Sequence, residues 1–206
     1  MNDLYQALGD ISRIRRQVAA TTEFRGYGPA TLAATGVMAL LAAIAQGFFI
    51  SEPESTHLTP YLILWCSTAI LAIALTAAQM FTRSRRIHSA LSDDMIRMAV
   101  EQFLPSLGAG LLLTIVFARY VPNSAWLLPG LWQIVFSLGI FSSCRFLPRP
   151  ILVAAAWYLF TGLACIAVGP AAALSPWTMG VPYGAGQLLV ASILLHSNRK
   201  AAADEA

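Results

Sequence analysis

Six apolar runs, 29–50, 60–81, 104–121, 125–144, 151–171 and 181–197, contain between them a single Asp, Glu, Lys or Arg, namely Arg119. A chain divided in this way has few folds open to it. In hydrocarbon each backbone N–H and C=O must be paired within the protein, so an isolated apolar run of about 20 residues becomes a spanning helix. The expected fold class is therefore all-α: a polytopic membrane protein with six transmembrane helices. Composition agrees, at 57% hydrophobic and 11% charged residues, where a soluble domain carries about 25% charge. The 206 residues form a single membrane domain, 1–206, with 198–206 left as a tail.

Charge placement predicts the orientation. Of 13 Lys and Arg residues, every one except Arg119 lies in a segment on the same side of this topology. Arg13, Arg15, Arg16 and Arg25 precede the first run, and Arg83, Arg85, Arg86 and Arg97 follow the second. Arg145 and Arg149 follow the fourth, and Arg199 and Lys200 follow the sixth. The opposite loops, 51–59, 122–124 and 172–180, carry no Lys or Arg, and Glu52 and Glu54 sit in the first of them. Short basic loops stay cytoplasmic, which puts both termini in the cytoplasm. Trp126, Trp177 and Tyr183 then fall where an outer aromatic belt is expected. The first 24 residues have no apolar core and contain Asp3, Asp10 and Glu23, unlike a secretory signal. Minimal loops point to a multi-pass protein of the bacterial cell inner membrane.

Two further stretches are amphipathic. In 2–22, Leu4, Leu8, Ile11, Ile14 and Val18 recur at three- and four-residue spacing. In 89–103, Ser92, Asp93 and Asp94 suit a helix start, and Ile96, Ala99, Val100 and Phe103 form the apolar face. Both are expected as helices on the inner membrane surface. With Arg13, Arg15, Arg16, Arg83, Arg85 and Arg86 beside them, they form a candidate docking face. Its partners are anionic membrane lipid, a cytoplasmic or membrane protein, or a second copy of the chain. Lipid accounts for the basic residues without any nucleic acid.

Catalytic and metal-binding patterns are missing from the sequence. His57, His88 and His196 are scattered, and Cys66, Cys144 and Cys165 have no paired spacing. No carboxylate lies inside a run, which argues against a proton-driven antiporter. The expectation is a protein that is not an enzyme and holds no cofactor or metal. One polar set stands out, because Gln46, Arg119, Gln133, Tyr183 and Gln187 all fall in the outer half of the bundle. An amide in hydrocarbon costs a few kcal/mol unless it is paired. These groups are either interhelical hydrogen-bonded contacts or a ligand site, to which Tyr158 and Thr161 could add. Arg119 reaches the outer headgroups, pairs with Glu52 or Glu54, or holds an anionic group. Thr35, Ala39 and Ala43 repeat every four residues, and with Gly108, Gly184 and Gly186 they offer flat surfaces for close helix approach.

Two functions follow as expectations. The first is a regulatory, sensor or scaffold subunit that docks a partner through its basic cytoplasmic face. The alternative is a binding or transport component for a small neutral or weakly anionic molecule held by the outer polar set.

Overall fold

The computed structural model describes residues 28–50, 58–87, 90–144 and 150–204, with side chains described except over 83–97, 99, 198 and 200–204. Nearly all of the described residues are helical, and they include no strand. In chain order they form α1 (Pro29–Phe49), α2 (Leu58–Ile87) and α3 (Ala90–Tyr120), then a 3-10 helix (Pro122–Leu127). After it come α4 (Leu128–Ser143), α5 (Ile151–Ala167), the short α6 (Pro170–Ala173) and α7 (Pro176–Asp204). Among the described residues five helical stretches are long and apolar enough to cross a membrane: Pro29–Phe49, Leu58–Thr82, Val100–Tyr120, Pro122–Ser143 and Pro176–Ser197. The sixth apolar helix, α5, is shorter at 17 residues.

Three departures from the boundaries read in the sequence bear on the packing. The run 151–171 ends as a helix at Ala167 because Gly169 takes φ 79° and Pro170 follows it. A left-handed glycine followed by proline cannot continue a helix. The last helix starts at Pro176, five residues before 181, and keeps Pro182 in its interior. The described part of the segment 89–103 is not a separate helix. From Ala90 it is continuous with the third apolar stretch, and Pro105 lies inside α3. The amphipathic segment 2–22, with Arg13, Arg15 and Arg16, lies outside the described residues. Arg83, Arg85 and Arg86 fall on α2, but their side chains do not belong to the described set.

The main contacts run α2–α1–α7–α5–α4–α3 around a ring, and the α2–α3 contact that closes it is sparse. Small residues explain the tight joints. At the α1–α7 crossing, a Cβ placed on Gly180 would lie 2.4 Å from the Ala43 Cβ, and one on Gly36 would lie 3.0 Å from the Gly184 carbonyl oxygen. Thr35, Ala39 and Ala43, spaced four apart, are all buried there. At the α4–α5 crossing, Gly130 and Gly162 place their backbones against each other. Without a hydrophobic drive between helices in lipid, such close approach supplies much of the association energy. Gly108, by contrast, faces open space. The α2–α3 seam lacks any such pair. In the most apolar 18-residue stretch of α3 no residue is buried at all.

Candidate functional site

The expected outer polar set resolves into two kinds of group. Gln46 is fully buried and committed to structure. Its Nε2 donates to the Leu174 carbonyl in the turn before α7 at 2.8 Å, and its Oε1 accepts from Trp65 Nε1 of α2 at 2.7 Å. One carboxamide thus joins α1, α2 and the α6–α7 turn. Gln133 is likewise fully buried. Pro182 has no N–H, so the Thr178 carbonyl one turn earlier loses its helical donor. Gln133 Nε2 supplies the missing bond at 2.9 Å, and also meets the Pro129 carbonyl at 3.2 Å. Trp157 Nε1 donates to the Pro182 carbonyl at 3.0 Å, and Ser137 Oγ donates to the Ala155 carbonyl at 2.8 Å. Apart from the Gln133–Pro129 bond within α4, these contacts join different elements and are worth at most about 1–2 kcal/mol each.

Arg119 is exposed in the last turn of α3 and takes no part in this set. Tyr158 is buried in an aromatic cluster, with its ring 4.8 Å from Phe136 and 5.3 Å from Tyr183, a spacing suited to edge and tilted contacts. Thr161 donates back to the Trp157 carbonyl of its own helix.

Tyr183 and Gln187 behave differently, because both line a cavity of about 340 Å³ beneath the α2–α3 seam. The cavity is walled by α1, α2, α3, α4 and α7. Among the described residues its lining is almost wholly apolar and includes no Asp, Glu, Lys, Arg or His. At one end Trp132 holds the wall together: its ring lies parallel to Tyr61 at 6.5 Å, and its Nε1 donates to Thr114 Oγ1 at 2.9 Å. Phe103 and Phe136 meet edge to face at 5.4 Å further along. The Gln187 carboxamide forms no hydrogen bond with any described residue, and neither do the hydroxyls of Tyr183 and Ser106, which also line the space.

The cavity also has a defined depth. The middle residue of each long apolar stretch lines it: Ala39 of Pro29–Phe49, Ile70 of Leu58–Thr82 and Gly110 of Val100–Tyr120. Of the two middle residues of Pro122–Ser143 it is Trp132, and of Pro176–Ser197 it is Gln187. The unpaired amide therefore sits at mid-span and not towards either end.

Sequence reasoning singled out Gln187 and Tyr183, but it missed Trp132, Thr114, Ser106 and the cavity itself. It also missed Gln79, whose Oε1 accepts from the backbone N–H of Gly28 at 3.1 Å and ties the start of α1 to α2. Alternating polar residues inside apolar runs were the available signal. No family model, curated protein or solved structure matches the chain, so a functional reading rests on its own geometry.

Proposed function

We propose that the chain is a non-enzymatic, six-span protein of the bacterial inner membrane, with both termini in the cytoplasm, which binds a small neutral molecule in the cavity beneath the α2–α3 seam. Support for the sixth span comes from α5: its 17 residues extend about 25 Å, at the lower end of spanning lengths, and it packs between α4 and α7. The observation that carries the binding function is the Gln187 carboxamide, unpaired at mid-span on the wall of an otherwise apolar space. Leaving an amide unpaired in such a setting costs about 2 kcal/mol or more, and a ligand that bonds to it removes that cost. The volume is at the low end of small-molecule sites, about 300–1,000 Å³. A lining without charge favours a neutral occupant over an anionic one.

Thermal unfolding of the detergent-solubilised protein with a panel of neutral compounds tests this. A true ligand at about a hundredfold excess over its Kd should raise Tm by about 5 °C or more. Ala69→Trp, which fills the cavity from α2, should abolish the shift while the protein remains folded. An equal shift in both proteins places binding elsewhere and contradicts the proposal.

A second reading is favoured by the length of α2 and α3. The first runs five residues past Thr82 to Ile87, and the second begins at Ala90, ten residues before Val100. A helical arm of about 8–15 Å thus extends beyond the apolar stretches, carrying Arg83, Arg85, Arg86 and Arg97. Such an arm suits the docking of anionic lipid or a protein partner on the cytoplasmic side. Changing Arg83, Arg85 and Arg86 to Gln should weaken retention of the detergent-solubilised protein on anionic vesicles, and should leave the ligand-induced Tm shift in thermal unfolding unchanged.

A further inference from the structure

We infer that the ligand comes from the lipid phase: a neutral, mostly hydrocarbon molecule with one carbonyl or hydroxyl group, which enters sideways between α2 and α3 and hydrogen-bonds to Gln187. This rests on the cavity being a binding site, and it adds the ligand's class, route and anchoring residue.

The mouth is marked by residues that line the cavity and are also exposed on the outside of the bundle. Ile70 and Ile73 on α2 are 65% and 47% exposed, and Leu107 and Leu111 on α3 are 37% and 63% exposed. All four are aliphatic, and Ile70 and Leu111 lie at or beside the middle of their apolar stretches. In a bilayer about 30 Å thick in hydrocarbon, an opening at that level faces acyl chains, about 15 Å from water on either side. A water-borne solute would have to leave water before reaching it, whereas a molecule dissolved in the membrane meets it at its own depth. The other walls are less open. The α1–α7 and α4–α5 crossings are sealed by glycine contacts, and α4 is joined to α3 by the Trp132–Thr114 bond. Sparse contact leaves the α2–α3 seam as the soft side.

The polar groups define the other half of the ligand. A carboxamide offers two N–H donors and a carbonyl acceptor. It suits a carbonyl, which accepts, or a hydroxyl, which does both. Tyr183, on the same helix as Gln187, and Ser106 on α3 bring further hydroxyl-bearing residues to the lining. A carboxylate or phosphate head has no cation to pair with among the described lining residues, and a bare charge at mid-bilayer is strongly disfavoured. The ligand is therefore neutral, and most of its surface is hydrocarbon.

Tryptophan quenching tests the route, the class and the anchor together. Trp65 and Trp132 line the cavity, so Trp126, Trp157 and Trp177 are replaced by Phe, and the protein is placed in phosphatidylcholine vesicles. The probe is a long-chain alcohol with a terminal bromine, a contact quencher, added to the lipid. The inference predicts quenching that saturates with mole fraction and is reversed by the unbrominated alcohol. It also predicts about fivefold weaker apparent affinity for the bromoalkane lacking the hydroxyl, and the same loss for the alcohol with Gln187→Met. Comparing alcohol and alkane on the unaltered site keeps the hydrogen bond testable even if the Gln187 variant fails to fold. Quenching that rises linearly without saturation or competition overturns the lateral route. Equal affinity for alcohol and alkane overturns the hydrogen-bonded anchor. If a neutral compound still stabilises the solubilised protein while vesicle quenching stays linear, the lipid-phase origin fails and the cavity site survives. If neither responds, both fail.

Discussion

Gly130→Leu should cost the bundle about 3 kcal/mol or more, the largest effect of any single substitution considered. A Cβ at position 130 would lie 2.7 Å from the Gly162 carbonyl oxygen and 2.6 Å from Ile166 Cγ1. The reciprocal contact, from Gly162 to the Gly130 carbonyl oxygen, is 2.8 Å. A flexible side chain could move aside, but a backbone carbonyl in mid-helix cannot. The whole of α4 must therefore retreat from α5. Overpacking of ordinary cores costs about 1–3 kcal/mol, and a rigid backbone obstacle lies at or above the top of that range. The check is unfolding in mixed detergent, with Gly108→Leu as reference. A Cβ at Gly108 meets nothing, so that variant should stay within about 0.5 kcal/mol of the parent. Equal loss in both would mean that the α4–α5 crossing does not hold the bundle together.

Next in size is Gln46→Leu, at about 2–4 kcal/mol. Leucine fills a similar volume but leaves the Leu174 carbonyl and the Trp65 indole N–H without partners, around a position with no solvent exposure. Each orphaned group costs about 1–3 kcal/mol. The lower part of that range applies here, because a chain unfolded within a membrane also finds partners. Trp65→Phe alone should cost less, since it orphans only the Gln46 carbonyl oxygen. The double variant should be less destabilised than the sum of the two, with a coupling of about 1 kcal/mol in the thermodynamic cycle. Additive losses would contradict the indole–amide bond.

These two substitutions show why part of the molecule was legible in its sequence and part was not. Helix existence was legible, because a long uncharged apolar run has one stable backbone solution in lipid. Ends were less so. Pro105 and Pro182 stand at the second position of the expected runs 104–121 and 181–197, yet both lie inside helices, and at Pro182 the carbonyl it frees finds the Gln133 amide. That compensation depends on a residue 49 positions away and leaves no local trace. The amides stood out because they are costly wherever they sit. What they bind is mostly backbone carbonyl, at Leu174 and Thr178, and carbonyls have no signature in a sequence. The small residues of α1 were visible, but their match to Gly180 and Gly184 arises only when α1 and α7 become neighbours. The cavity was the least legible feature. It follows from ring order and from the absence of a small-residue pair on the α2–α3 seam, and only the assembled bundle displays it. This is why Gln187 could be selected as polar and inward, while Trp132 and Ser106 looked like ordinary span residues.

The mid-span cavity as a ligand site is the central claim, and a high-resolution map of the protein purified from its native membrane in lipid nanodiscs tests it most directly. The prediction is non-protein density beneath the α2–α3 seam, elongated along hydrocarbon walls, with one end within hydrogen-bond distance of the Gln187 carboxamide. A map in which α2 and α3 close over the space and Gln187 bonds to a protein group would contradict it.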